Sequence, residues 1–301
     1  MSSNQIIQVL VIALISSLAA CNSSSETMSQ QEEKKMNESD YIISVVVVGD
    51  SRENLISNNA KFFSQYRSGA SVGFIRPNLD TNQERKLKLN LKDGYDHTVL
   101  VFNHLENLVF VSDANYPKQG VTDIGFDMSN IESKKINEKS SYLAYEGIVK
   151  QLNKNGWKVF YFESEPRIFG KQSFEANNKI PNYLGSLDGF YLDSEEKWEK
   201  YSSDLKRQPL RFYKNNVILT INFRESIDDV KIHLDFVTFF SHFFYQYDEK
   251  IRDKDWNTLL SNDLNKWKIE RDRSENKMQK LGYSINKDYQ NPNVFKFLNV
   301  H

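Results

Sequence analysis

The chain has 301 residues, with 39 basic and 40 acidic side chains and a formal net charge of −1. That balance excludes a dedicated nucleic-acid binder, whose phosphate contacts need a basic face. Aromatic residues reach 13% while Gly and Pro number only 12 and 6, a composition that suits aromatic-rich strands and interfaces and excludes a wholly disordered chain.

Residues 1–20 contain no Lys, Arg, Asp or Glu, and Ile6 to Leu18 is an apolar run broken only by Gln8, Ser16 and Ser17. At about a dozen residues it falls short of the roughly 20 that a helix needs to cross a bilayer, so it reads as a signal-peptide core. The run ends in Leu18-Ala19-Ala20-Cys21. This segment resembles the lipobox of bacterial lipoproteins, although Met1 to Gln8 lacks the usual basic side chain. The resemblance implies cleavage before Cys21 and lipid on its sulfur, and Asn22 resembles the type sent to the outer membrane, where the body would face the periplasm. An ordinary secretory signal with a chance cysteine is the alternative. Cys21 is the sole cysteine, which excludes an intramolecular disulfide. Residues 21–40, rich in Ser, Gln, Glu, Lys and Asn without an aromatic side chain, read as a lipidated flexible tether.

The body opens on the β-branched strand Tyr41 to Val48. Gly49-Asp50-Ser51 supplies a turn and N-cap for a helix over 53–66. Strands follow at 72–75, at 87–91 in strict alternation, at 98–102 and at 108–111. After a polar loop, 140–155 forms a helix with Tyr145, Ile148, Val149 and Leu152 on one face and Gly156 as its stop. A strand covers 157–162. The pattern loosens from Gly170 to Pro209, with Trp198, Tyr201 and Leu205 sharing a face of a short helix capped by Asp193-Ser194. Strands at 211–213 and 217–223 flank the polar turn Lys214-Asn215-Asn216, and a further strand runs over 230–240. Trp256, Leu260, Leu264, Trp267, Met278 and Leu281 recur at helical spacing up to Gly282, and strands at 283–285 and 294–298 finish the chain.

This order predicts an α+β fold of mainly antiparallel sheets with helices on one face. A boundary near Gly170 divides the body into an N-terminal lobe, 41–170, and a C-terminal lobe, 171–301. Lys280-Leu281-Gly282-Tyr283 echoes Lys154-Asn155-Gly156-Trp157, which fits two similar lobes or two ordinary helix stops.

No constellation of catalytic or metal-binding residues stands out. Gly69-Ala70-Ser71-Val72-Gly73 has the letters of a hydrolase nucleophile elbow, but that elbow needs a strand before the serine and a helix after it, and here the order is reversed. His233 and Asp235 share the non-core face of their strand, as an oriented imidazole pair or a solvated polar pair. His97, His104, His233 and His242 lack the spacing of metal ligands. Asp193-Ser194-Glu195-Glu196 lacks the glycine of a calcium loop and suits a helix start. The charged run Lys266 to Lys280 reads as a solvent face. The sequence therefore implies no cofactor, no metal and no enzyme.

A tethered, near-neutral α+β body of this plan, behind the Leu18 to Cys21 segment, resembles the immunity lipoproteins that protect the periplasm from contact-delivered toxins such as type VI secretion phospholipases. The resemblance implies a protein partner, a toxin or effector, met by an aromatic and acidic surface. Within the loose segment Phe174 to Trp198, the candidate partner-binding residues are Tyr183, Asp188, Phe190 and Tyr191, unless that segment is an ordinary packed connection. A structural or assembly lipoprotein of the envelope is the alternative, and a hydrolase of unfamiliar type the second. The cysteine is the sharpest expectation: Cys21→Ala abolishes labelling by radioactive fatty acid, and equal labelling of the two forms removes the lipoprotein assignment.

Overall fold

The computed structural model describes residues 42–46, 51–63, 72–79, 87–92, 99–128, 134–226 and 229–298. Cys21 and its tether, Ser71, His97 and the end of the first expected helix lie outside them. The strands are β1 (Ile42–Val46), β2 (Val72–Ile75), β3 (Lys88–Lys92), β4 (Val99–Asn103), β5 (Leu105–Asp113), β6 (Val121–Met128), β7 (Lys158–Val159), β8 (Leu210–Lys214), β9 (Val217–Glu225) and β10 (Val230–Thr238). The helices are α1 (Arg52–Asn58), α2 (Ala60–Phe63), α3 (Lys139–Lys154), α4 (Lys171–Lys179), α5 (Glu195–Tyr201), α6 (Phe239–Phe244) and α7 (Glu249–Lys280), the last interrupted by non-helical backbone at Asp255. The fold is α+β, as expected.

Seven strands form one antiparallel sheet in the order β2-β5-β6-β10-β9-β8-β7, and β1-β3-β4 form a smaller sheet in which β1 and β3 run parallel. Strand β10 lies between β6 and β9, with His233 opposite Asp127 on one side and Asn222 on the other. The expected division at residue 170 is therefore corrected: strands from both sides of it are woven into one sheet, and residues 41–301 form one compact unit. The echo between Gly156 and Gly282 is a repeated helix stop. Both glycines have positive φ, 73° and 88°, and the following N–H of Trp157 or Tyr283 returns to the carbonyl of Leu152 or Met278.

Alternation along β10 sends Ile232, Leu234 and Phe236 into the core and His233 and Asp235 to the other face. Phe236 meets Phe102 of the small sheet, Phe126 of β6 and Trp157 after α3 at ring separations of 5.8, 6.1 and 6.1 Å. On the same face, Phe223 of β9 touches Tyr145 of α3 and Trp198 of α5. Ile218, on the opposite face of β9, belongs to the cluster made by Phe239, Phe240, Phe243 and Phe244 of α6 with Trp256 and Leu260 of α7. Helices thus meet both faces, not one, because the phenylalanines of α6 need cover that the first face has already given to α3 and α5. The outer edge of β4 is closed by a side chain: Gln151 of α3 accepts from Val101 N–H at 2.9 Å and donates to Val101 C=O at 3.1 Å.

Four local expectations change. The first helix breaks at Asn59, a buried residue whose side-chain amide donates to Leu55 O at 2.9 Å, although Ser51 caps the helix as expected. Strand β6 falls in the stretch read as a polar loop, because Asp123, Gly125 and Asp127 are strand-poor residues that all turn to its polar face. The strand over 230–240 stops at Thr238, whose hydroxyl caps α6 by accepting from Ser241 N–H at 3.1 Å. The segments expected as strands at 283–285 and 294–298 form a single bridge, Ile285 to Ile168, and a 3-10 turn at Val294–Lys296. Phe236→Ala removes the ring where both sheets meet and costs about 3–5 kcal/mol in a denaturant melt.

Candidate functional site

A cavity of about 570 Å³ opens where the chain leaves α3, where it turns after Gly170 and where the C-terminal segment crosses them. Trp157, Tyr161, Phe169, Phe190, Tyr213 and Tyr289 give it six aromatic rings, joined by Asn153, Lys158, Asp188, Asn286, Asp288 and Gln290. Tyr161 and Tyr289 meet edge to face at 4.9 Å and are both buried. Trp157 is only 8% exposed, and its indole N–H has no acceptor among the described residues. Burial pushes the hydroxyls of Tyr161, Tyr213 and Tyr289 above the ordinary tyrosine value, so all three are neutral donors at physiological pH.

Two buried charges from α7 hold the cavity wall. Arg167 donates to both carboxylate oxygens of Glu275, at 2.6 and 2.8 Å, and to Tyr289 O at 3.0 Å. Arg271, 4% exposed, donates to Phe162 O and to the side chain of Asn291. Arg271 and Glu275 continue the stripe begun by Trp256 and Leu260, so part of the run expected as a solvent face is turned inward. Spacing from Met278 and Leu260 was the signal in the sequence; their charge concealed it.

The four candidate partner-binding residues do not form one surface. Asp188 and Phe190 line the cavity. Asp188 accepts from the N–H of Gly170 at 2.8 Å and of Phe190 at 3.1 Å; burial raises its pKa against the pull of these bonds. Phe190 packs edge-on against Phe212 at 4.9 Å, which requires Gly189 beside it, since a Cβ there would stand 2.5 Å from Phe212 Cζ. Tyr191 lies against Phe174 and Tyr201, with the Lys197 ammonium 4.4 Å over its ring. Tyr183 packs on a separate small cluster of Ile168, Ala176 and Met278. Phe174 and Trp198, the ends of the segment, are fully buried, so much of it is packed connection.

The polar face of the large sheet gathers the other titratable groups. His233 Nδ1 lies 2.8 Å from Asp127 Oδ1, not on its strand neighbour Asp235, and Asn107 donates to the other oxygen of Asp127 at 2.8 Å. Burial works to raise the Asp127 pKa, but the hydrogen bonds from His233 and Asn107 outweigh it and hold it below the usual carboxylate range. Gly125 leaves a gap between them: a Cβ there would stand 3.8 Å from both Asp235 Oδ1 and His233 Cε1. Asp123 accepts from Thr122 at 2.6 Å and Ser241 at 2.8 Å. Burial, with Asp123 nearby, pushes Asp235 up to about 6. His242 is stacked on Phe162, and burial next to Arg211 pushes it down to about 4. His104 occupies a positive-φ position between β4 and β5. No group of three or more His, Cys, Asp or Glu among the described residues could hold a metal ion. Ser194 caps α5 and Asp193 pairs with Lys197 at 2.7 Å, the helix start expected of that acidic run.

No family model, curated protein or solved structure matches this chain. Among the described residues no helix is long and apolar enough to cross a membrane.

The Asp235 environment gives a signed pH dependence. Its folded pKa of about 6 lies above the unfolded value, so its stabilising contribution is complete below about pH 4 and lost as pH rises through 6. Asp235→Asn therefore gains on the parent between pH 4 and 7, by up to about 2 kcal/mol. The contribution of His242, which runs the other way, cancels in the comparison. Denaturant melts at pH 4 and 7 measure it, and a gap that does not change with pH refutes the assignment.

Proposed function

We propose that this chain is exported, lipidated at Cys21, and held at the membrane as a binding protein that neutralises a toxin acting in the periplasm, such as a phospholipase delivered by type VI secretion. The observation that carries the reading is the small apolar cluster of Ile168, Ala176 and Met278, against which partly buried Ile180, Tyr183, Tyr283 and Ile285 pack. Three segments contribute to it, and each carries an exposed apolar side chain beside a cluster residue in sequence: Phe169, Leu184 at 59% exposure and Leu281 at 55%. Tyr183 and Tyr283 lie partly buried against the same cluster. Exposed apolar side chains on segments that pack at one cluster, with tyrosines among them, suit a protein interface whose energy comes from a few anchors. A second reading, a structural or assembly lipoprotein of the envelope, is favoured by the aromatic cavity, which is shaped for a small ligand group and not for a flat protein surface.

The test is capture of secreted effectors by the lipidated chain, with survival of toxin-challenged cells that export it. Changing Leu184 and Leu281 together to Asp weakens capture at least about tenfold, as expected for hot-spot positions, while the thermal melt stays unchanged because both side chains already face solvent. Absence of protection, together with no effector captured, removes the toxin reading.

A further inference from the structure

We propose that the polar face of the large sheet is a docking surface for a protein partner, and that it takes one arginine side chain of that partner between Asp235 and His233, above Gly125. The inference rests on the reading of the chain as a binding protein and adds the chemistry of the partner. Strand pairing places the groups. Val109 lies opposite Gly125 and Gly125 opposite Asp235, so the three stand in one row across β5, β6 and β10, with Asp127 and His233 side by side in the next row. Gly125 brings no side chain to its row: a Cβ there would sit 3.5 Å from Val109 Cγ1 and 3.8 Å from both Asp235 Oδ1 and His233 Cε1. Val109, His233 and Asp235 are each half-buried, so the hollow left by the glycine is walled by side chains that reach solvent.

Both polar walls offer acceptors. His233 Nδ1 donates to ionised Asp127 at 2.8 Å, which leaves the lone pair of the neutral imidazole on Nε2, where no described residue meets it. Asp235 accepts no hydrogen bond and joins no ion pair among the described residues; burial and the charge of Asp123 push it up to about 6, so at pH 7.5 it is ionised without a counter-charge. That arrangement costs stability, and a carboxylate kept in spite of its cost marks a binding role. Across β5, β6, β10 and β9 the face carries Glu106, Asp113, Asp123, Asp127 and Asp235 against Lys231 and Arg224, and Lys231 is already paired with Glu106 at 3.3 Å. An anion is disfavoured there, and an apolar group would leave both acceptors bare. A guanidinium serves both, because its planar fork donates in two directions while the ammonium of lysine is a point charge. The same face carries an apolar anchor, which assigns the cation to a protein. Phe74, at 67% the most exposed large apolar side chain described, stands in the row of Val111 and Asp123. It lies three strand spacings, about 14 Å, from β10, well inside the roughly 800 Å² that one partner contributes to an ordinary interface.

The probe is the peptide acetyl-Gly-Arg-Gly-amide, with its citrulline counterpart, of the same shape and uncharged, as the comparison. Each is titrated at pH 7.5 and constant ionic strength into the purified full chain carrying carbon-13 at histidine Cε1, and the His233 signal is identified by its loss in His233→Asn. A saturable shift of that signal is expected, half-complete at about 1–10 mM as suits a single anchor, and citrulline acts at least about tenfold more weakly. Asp235→Asn deletes the charge, and Gly125→Ala fills the hollow with a methyl at ordinary contact distances. Each weakens the arginine peptide at least about fivefold, with a thermal melt unchanged or raised. A His233 signal unmoved up to about 50 mM, an equal response to citrulline, or indifference to both variants overturns the proposal. Asp235→Asn combined with Phe74→Ser weakens effector capture at least about tenfold, and undiminished capture overturns the docking role. Peptide binding without any captured effector removes the toxin reading and supports the arginine site, whereas captured effector without peptide binding overturns the site and spares the toxin reading.

Discussion

Strand β10 is hydrogen-bonded along both edges, to β6 on one side and β9 on the other, and the remainder of the fold is arranged around that insertion. A strand paired on both sides has no free edge, so its register is set twice, and a slip of one residue would exchange Phe236 for Asp235 in the core. The alternation of Ile232, Leu234 and Phe236 with His233 and Asp235 is what makes such a slip costly. The same strand delivers the chain at Thr238 into four phenylalanines of α6, which anchor α7 through Trp256 and Leu260. One strand thus joins the two ends of the chain and assigns the apolar and polar faces of the large sheet.

The cavity depends on that arrangement through α7. Along this helix the inward stripe begins with aromatic and aliphatic residues and continues with Arg271 and Glu275, which grip the backbone of 161–167 and the C-terminal segment. Removing two charges from water is costly, and their mutual attraction offsets this only when geometry and supporting hydrogen bonds are good; breaking such a pair then costs about 3–5 kcal/mol. The Arg167 fork onto Glu275, with a further bond to Tyr289 O, meets those conditions. These polar contacts can do what an apolar stripe could not: they bind backbone that belongs to no sheet, and so hold Tyr161 and Tyr289 face to edge in a wall made of irregular chain.

Two parts of the molecule differ in what they offer physically. The apolar side chains around Ile168 and Met278 offer area without direction, which suits a macromolecular partner. The cavity offers direction, through carboxylates and amides between rings, which suits a small polar ligand.

The sequence by itself determined the element types wherever periodicity was clean. Strands β3, β8 and β9, helix α3 with its Gly156 stop, the Ser51 cap and most of α7 were legible because alternation, helical spacing and capping are local properties. It misjudged β6, whose Asp123, Gly125 and Asp127 argue against a strand until Thr122, Ser241, His233 and Asn107 provide partners for the two acids. Of the site, Asp188 and Phe190 were within reach, since they lie in the loose segment that the pattern marked. Trp157 and Tyr161 read only as strand residues, and Tyr289 fell in an unassigned stretch. Only the tertiary structure could decide that β10 enters between β6 and β9, that His233 faces Asp127 and not Asp235, and that Arg271 and Glu275 turn inward. Apart from the local β9–β10 hairpin, each rests on a contact between residues about a hundred or more positions apart, and a local pattern carries no information on which distant group will complete a buried charge or a strand edge.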